Sequence, residues 1–123
     1  MVASSGLAIF ASGHYRYAYK NTCFLYHSVR GWNFGTLAEK IDNLKIVERL
    51  QKEYDDIIMR GSILTKEQLE NYSMKRNMDY TFFGEEALDI MIVDELLDYE
   101  PEVKTECDEC EINCSCKDCE CDA

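Results

Sequence analysis

Two residues near the start of the chain have the types that nucleophilic catalysis needs. Ser4 stands in Val2-Ala3-Ser4-Ser5-Gly6, and His27 closes the run Cys23-Phe24-Leu25-Tyr26-His27. A serine hydroxyl becomes a nucleophile when a nearby imidazole can take its proton. Ser4 also lies where a helix should begin, just ahead of the apolar run Leu7-Ala8-Ile9-Phe10. The unpaired N–H groups of a first helical turn, aided by the helix dipole, favour a developing oxyanion. Each residue has a commoner role as well. A serine before an apolar helix, Ser4 or Ser5 here, is ordinarily its cap, and a histidine ending an apolar strand is ordinarily structural.

A second group with chemistry to offer is Cys107, Cys110, Cys114, Cys116, Cys119 and Cys121, in CxxC and CxC spacings. Thiolates two or three positions apart can grip one soft ion, Zn²⁺ or Cu⁺. No histidine or second motif completes a standard zinc finger, so the competing reading is a solvated acidic tail with reduced thiols.

The chain that must position these groups has 123 residues, with 24 Asp plus Glu against 13 Lys plus Arg. One domain fits that length. The net charge of −11 carries no basic stripe, which argues against a nucleic-acid or anionic-membrane partner. No apolar run approaches the roughly 20 residues that span a bilayer. No basic region precedes the N-terminal apolar stretch, so a secretory signal is unsupported and a cytoplasmic location is expected. The charge is concentrated at the end: residues 100–123 hold nine acids, two bases and six of the seven cysteines. The chain is therefore expected to divide into a folded body, 1–99, and a disordered acidic Cys-rich tail, 100–123.

Within the body, 15–20 reads as a short Tyr-rich strand and 23–27 as a buried strand. Gly31 and Gly35 bracket a loop holding Trp32. Thr36-Leu37-Ala38-Glu39 is a capping box, and it opens the strongest helix in the sequence. Leu37, Ile41, Leu44, Val47, Leu50, Tyr54 and Ile57 or Ile58 trace an apolar stripe that ends at Gly61. At about 1.5 Å per residue such a helix is roughly 36 Å long, more than one small core can cover. An oligomer contact along it is expected. A second box at Thr65-Lys66-Glu67-Gln68 starts a short helix, 85–90 forms another, and Ile92-Val93 forms a last strand. The order is helix, strand, strand, long helix, short helix, helix, strand: an α/β pattern without repeats.

Several segments, in order, resemble the proteolytic subunit of the ATP-dependent Clp protease, a serine peptidase family with a crotonase-like α/β fold. Val2-Ala3-Ser4-Ser5-Gly6 is similar to its nucleophile segment, and Ser12-Gly13, Asn21-Thr22 and Leu25-Tyr26-His27 follow as its later motifs do. The long helix over 36–60 resembles the family's handle, and Glu85-Glu86-Ala87-Leu88 and Val93-Asp94-Glu95-Leu96-Leu97 resemble its closing signature. The resemblance covers about residues 2–98. It implies Ser4 as nucleophile, His27 as base, the Ser5 N–H as an oxyanion donor, and endopeptidase action on unfolded polypeptide, with no cofactor required for hydrolysis. It also implies homo-oligomeric rings joined through the handle and an ATP-dependent unfoldase as partner.

Three departures qualify what the resemblance implies. Counting back from Glu85-Glu86-Ala87 puts Lys75 where the family has the aspartate that orients the histidine, and a lysine cannot accept an imidazole N–H. Asp79 and Asn77 are the nearby candidates for a replacement, and a Ser–His dyad without an orienter is the alternative. Met91 stands where the family has a glycine, and an altered turn is expected there. The family's first half, including its glycine-rich oxyanion loop, precedes the nucleophile, whereas here Met1 lies three residues before Ser4. The resemblance therefore implies the C-terminal portion of the fold, weak or inactive alone, with a missing N-terminal fragment as a further partner. The alternatives are a noncatalytic ring subunit of the same fold, or a metal-binding interaction protein acting through its tail.

Overall fold

In the computed structural model, which describes residues 1–75 and 79–98, the chain enters at Val2–Ala3 (β1) and turns at once, through Ser4, into the helix Ser5–Ala11 (α1). There follow Tyr17–Tyr19 (β2), Cys23–Tyr26 (β3), the long helix Leu37–Arg60 (α2), Lys66–Glu70 (α3) and a π-helical turn over Asn71–Lys75. Tyr80–Phe83 (β4), Gly84–Asp89 (α4) and Glu95–Leu97 (β5) complete a mixed α/β body. Asn77 and the six tail cysteines fall outside the described residues.

The central sheet has the order β1-β3-β4, with β1 parallel to β3 and β3 antiparallel to β4. Alternation along β3 turns Phe24 and Tyr26 inward, and the register sets Phe82 of β4 opposite Phe24. Those two rings stack at 5.3 Å, and Phe10 of α1 packs against Phe24 in a tilted contact, also at 5.3 Å. Leu7, Ile58, Leu69, Ile92 and Val93 close the core around them. A smaller parallel pair, β2 with β5, lies beside it, with Ala18 turned in.

The two capping boxes form as the sequence indicates. Thr36 accepts from the Glu39 N–H and Thr65 from the Gln68 N–H, and in both the acid or amide side chain returns the bond. Other expectations need correction. Ser4 occupies the N-cap of α1, but its side chain makes no capping bond. Ile92 and Val93 are buried without being a strand, and the strand is Glu95–Leu97, paired with β2. Strands β1 and β4 are additional. Met91 has a positive φ of 61°, a conformation that favours glycine, and bears a left-handed strain of about 1–2 kcal/mol.

Only the last third of α2 meets the core. Ile58 is fully buried, with Tyr54, Ile57 and Met59 packed around it. Gly61 then lets the helix end rest on α1, since a Cβ there would stand 2.6 Å from the Ala11 carbonyl oxygen. Arg16 ties this junction together: it donates to the Gly61 carbonyl, to the Met91 carbonyl at 3.1 Å, and to Asp94 at 3.2 Å. Hydrogen bonds from the Arg16 side chain, then from its backbone N–H, hold the Asp94 carboxyl below the usual carboxylate range. A lowered folded-state pKa contributes stability that is complete above the unfolded value of about 3.9 and disappears as pH falls through the folded value. Asp55 acts oppositely, because burial raises its pKa, so its charge opposes folding as pH rises above that same value. Comparing wild type with Asp94→Asn in urea melts from pH 7 to pH 2.5 isolates the first effect. The wild-type advantage should be largest at pH 7 and shrink toward the acid end; an advantage that does not change with pH would rule the Asp94 charge out as its source.

Candidate active site

The parallel register of β1 on β3 brings Ser4 and His27 to one end of the sheet, although Ser4 Oγ makes no hydrogen bond to the His27 ring. Ala3 lies opposite Leu25, and neighbouring strands run about 4.8 Å apart, so Ser4 leaves β1 level with Tyr26 of β3, and His27 follows one residue further along. Ser4 is the first residue past β1 and His27 the first past β3. Both line a cavity of about 460 Å³, with Ser5, Val29, Arg30, Leu50 and Tyr54 as its other walls.

Ser4 is held by its backbone alone. Its N–H donates to the Leu25 carbonyl at 3.2 Å, and its carbonyl accepts from the Leu7 N–H and from the Tyr54 hydroxyl, each at 3.0 Å. Burial raises the Tyr54 phenol pKa, which keeps it a donor, and its ring stacks on Tyr26 at 5.5 Å. Three anchors therefore force Ser4 to φ 56°, ψ −128°, a region nearly closed to residues with a Cβ. Such strain costs about 1–3 kcal/mol and persists only where the surroundings over-determine it. The hydroxyl itself makes no hydrogen bond among the described residues. A strained strand-to-helix turn is the backbone geometry of a nucleophile elbow, whose serine also needs a base within hydrogen-bond reach of Oγ.

His27 is partly buried, and its Nδ1 lies 2.6 Å from the Ser28 carbonyl oxygen. A carbonyl can only accept, so Nδ1 carries the proton, and in the neutral ring the lone pair is left on Nε2. That is the tautomer a general base needs. The expectation that Asp79 orients the ring is corrected: Asp79 Oδ1 is taken by Arg30 Nη2 at 2.9 Å, and a backbone carbonyl holds Nδ1 instead. At the start of α1 the Ser5 N–H has no intrahelical partner, as at any helix start, and Ser5 faces the same cavity.

Tyr54, Gln51 and Asp55 are contributors that sequence reasoning missed. Tyr54 reads as one more apolar position of the stripe. Gln51 and Asp55, four apart on its flank, read as solvent-facing, although Asp55 is 8% exposed. Among the described residues, no three or more His, Cys, Asp or Glu side chains gather to hold a metal ion, and the tail cysteines lie outside them. No helix among the described residues is long and apolar enough to cross a membrane. No protein-family model matches the chain, and no curated protein matches it.

Proposed function

We propose that this chain is a serine endopeptidase subunit of the Clp type, with a crotonase-like fold, acting through Ser4 and His27. The observation that carries the reading is Ser4: strained, uncapped and uncommitted, in one cavity with an imidazole whose Nδ1 bond leaves Nε2 to accept. His27 Nε2 takes the hydroxyl proton as Ser4 Oγ attacks the scissile carbonyl, and the Ser5 N–H stabilises the oxyanion. The proton passes to the leaving amine, and water then releases the acyl group by the reverse sequence. The exposed N-terminal part of α2 supports assembly of several copies through that helix, and the resemblance adds an ATP-dependent unfoldase that delivers unfolded polypeptide.

One observation favours a second reading, a noncatalytic ring subunit: Asp79 is paired with Arg30, so this carboxylate does not touch the His27 ring. Reaction of the folded protein with a fluorophosphonate, followed by peptide mapping, separates the two readings. The peptidase reading expects a single adduct, on Ser4 and not on Ser5 or Ser12. Native protein that stays unmodified under conditions that label a control serine protease would leave the noncatalytic reading standing.

A further inference from the structure

We propose that Gln51 and Asp55 are positioning residues for the base, fixing through one peptide unit the carbonyl that holds His27 in its Nδ1–H tautomer. The inference rests on His27 being the base, but its central prediction does not need activity to be read.

The oxygen that accepts from His27 Nδ1 belongs to Ser28, and the N–H of the same peptide unit belongs to Val29. That N–H donates to Gln51 Oε1 at 2.7 Å. A trans peptide is rigid and planar, with its N–H and C=O pointing in opposite directions. Fixing the N–H therefore fixes the direction of the C=O, and each bond polarises the other. The Gln51 amide is itself locked against flipping. Its Nε2 lies 2.8 Å from Asp55 Oδ1 and 3.3 Å from the Tyr26 hydroxyl, and a flipped amide would turn a donor toward the Val29 N–H. Asp55 is anchored in turn, because the fully buried Tyr26 donates to the same oxygen at 2.7 Å. The bonds run from the Asp55 carboxylate through the Gln51 amide and the Ser28–Val29 peptide unit to the imidazole. A carboxylate thus still sets the ring, from a helix and at one remove, in a chain with Lys75 where the resemblance expects the aspartate.

The test reads the His27 tautomer by long-range ¹H–¹⁵N spectra of the full chain in a His14→Asn background, at a pH where imidazoles are neutral. Wild type should show the Nδ1–H form, and Gln51→Ala should shift the population toward Nε2–H. The turnover number for a fluorogenic peptide should fall about tenfold to a hundredfold with KM little changed. Gln51→Met, which keeps the volume and removes both polar atoms, replaces Gln51→Ala where the smaller side chain unfolds the protein. Gln51→Glu alone sets two carboxylates together and should also be impaired. In Gln51→Glu/Asp55→Asn the new amide can donate to the new carboxylate, which still accepts from Val29, so tautomer and turnover should both return. An Nε2–H ring in wild type, or an Nδ1–H ring indifferent to Gln51→Ala and Gln51→Met, overturns the proposal. A tautomer that follows Gln51 in a protein without Ser4 reactivity leaves the positioning intact and removes the peptidase reading alone.

Discussion

On the peptidase reading proposed above, Ser4→Ala abolishes whatever peptide hydrolysis and fluorophosphonate labelling the protein shows, while leaving the fold as stable as before, within about 0.5 kcal/mol. The two halves of that expectation come from the same geometry. The hydroxyl makes no hydrogen bond among the described residues, so deleting it removes no such contact there. The strain at φ 56° belongs to the backbone, which Leu25, Leu7 and Tyr54 hold in place, and alanine bears it as serine does. Ser4→Gly should go further, losing activity and gaining about 1 kcal/mol as that strain is relieved. A capping serine behaves in the opposite way, since its replacement by alanine costs about 0.5–2 kcal/mol. His27→Ala should lower the rate by about 10²–10⁴, the usual worth of a placed general base. Urea midpoints together with kcat/KM on a fluorogenic peptide check all three variants. Unchanged turnover in Ser4→Ala would remove it as nucleophile, and a clear loss of stability would return it to the role of cap.

What could be read in advance follows from how local each signal is. Thr36 and Glu39, or Thr65 and Gln68, settle a helix start within four residues, and both starts form with the bonds their types dictate. Gly61 ends α2 because its missing Cβ fits against Ala11, and the same glycine is a helix stop by composition. Strands β1 and β4 carry no such signal. Two residues at one end and Tyr-Thr-Phe-Phe at the other become strands only because β3 lies between them to be paired with. The site divides along the same line. Ser4 and His27 stand out by type and order, but a backbone carbonyl has no sequence signature, so sequence points only to side chains as partners of Nδ1. Asp79, close to Lys75, is such a carboxylate, and Arg30 claims it. Gln51 and Asp55 differ from ordinary surface residues only in being packed under the loop that follows His27.

Glutamate at both Ile41 and Leu44 is expected to eliminate self-association without disturbing the protomer. These residues are 47% and 54% exposed, and Leu37, on the same side of α2, is 75% exposed. Successive helical residues turn by about 100°, so the three lie within roughly 60° of one another. Just ahead of the helix, Trp32 and Phe34 stack at 5.8 Å and are 87% and 73% exposed, adding to this apolar surface. From Leu37 to Leu50 the helix runs about 20 Å with its large apolar side chains uncovered, whereas beyond Tyr54 the stripe is packed. A contiguous apolar surface of this kind marks an interaction site, because a monomer gains nothing by exposing it. The C-terminal part of the stripe is packed into the fold, and the uncovered N-terminal part is the surface for the contact between copies proposed above. Glutamate suits an exposed helical position about as well as isoleucine or leucine, so the monomer should unfold within about 0.5 kcal/mol of wild type. In a contact between copies the added charges meet each other across the interface. Burying an unpaired carboxylate costs several kcal/mol, enough to weaken association by more than about a hundredfold. Sedimentation velocity at matched concentrations should find wild type in oligomers and the double variant as monomers. Wild type that sediments as a monomer, or a double variant that assembles equally well, would show that this face of α2 is not where copies meet.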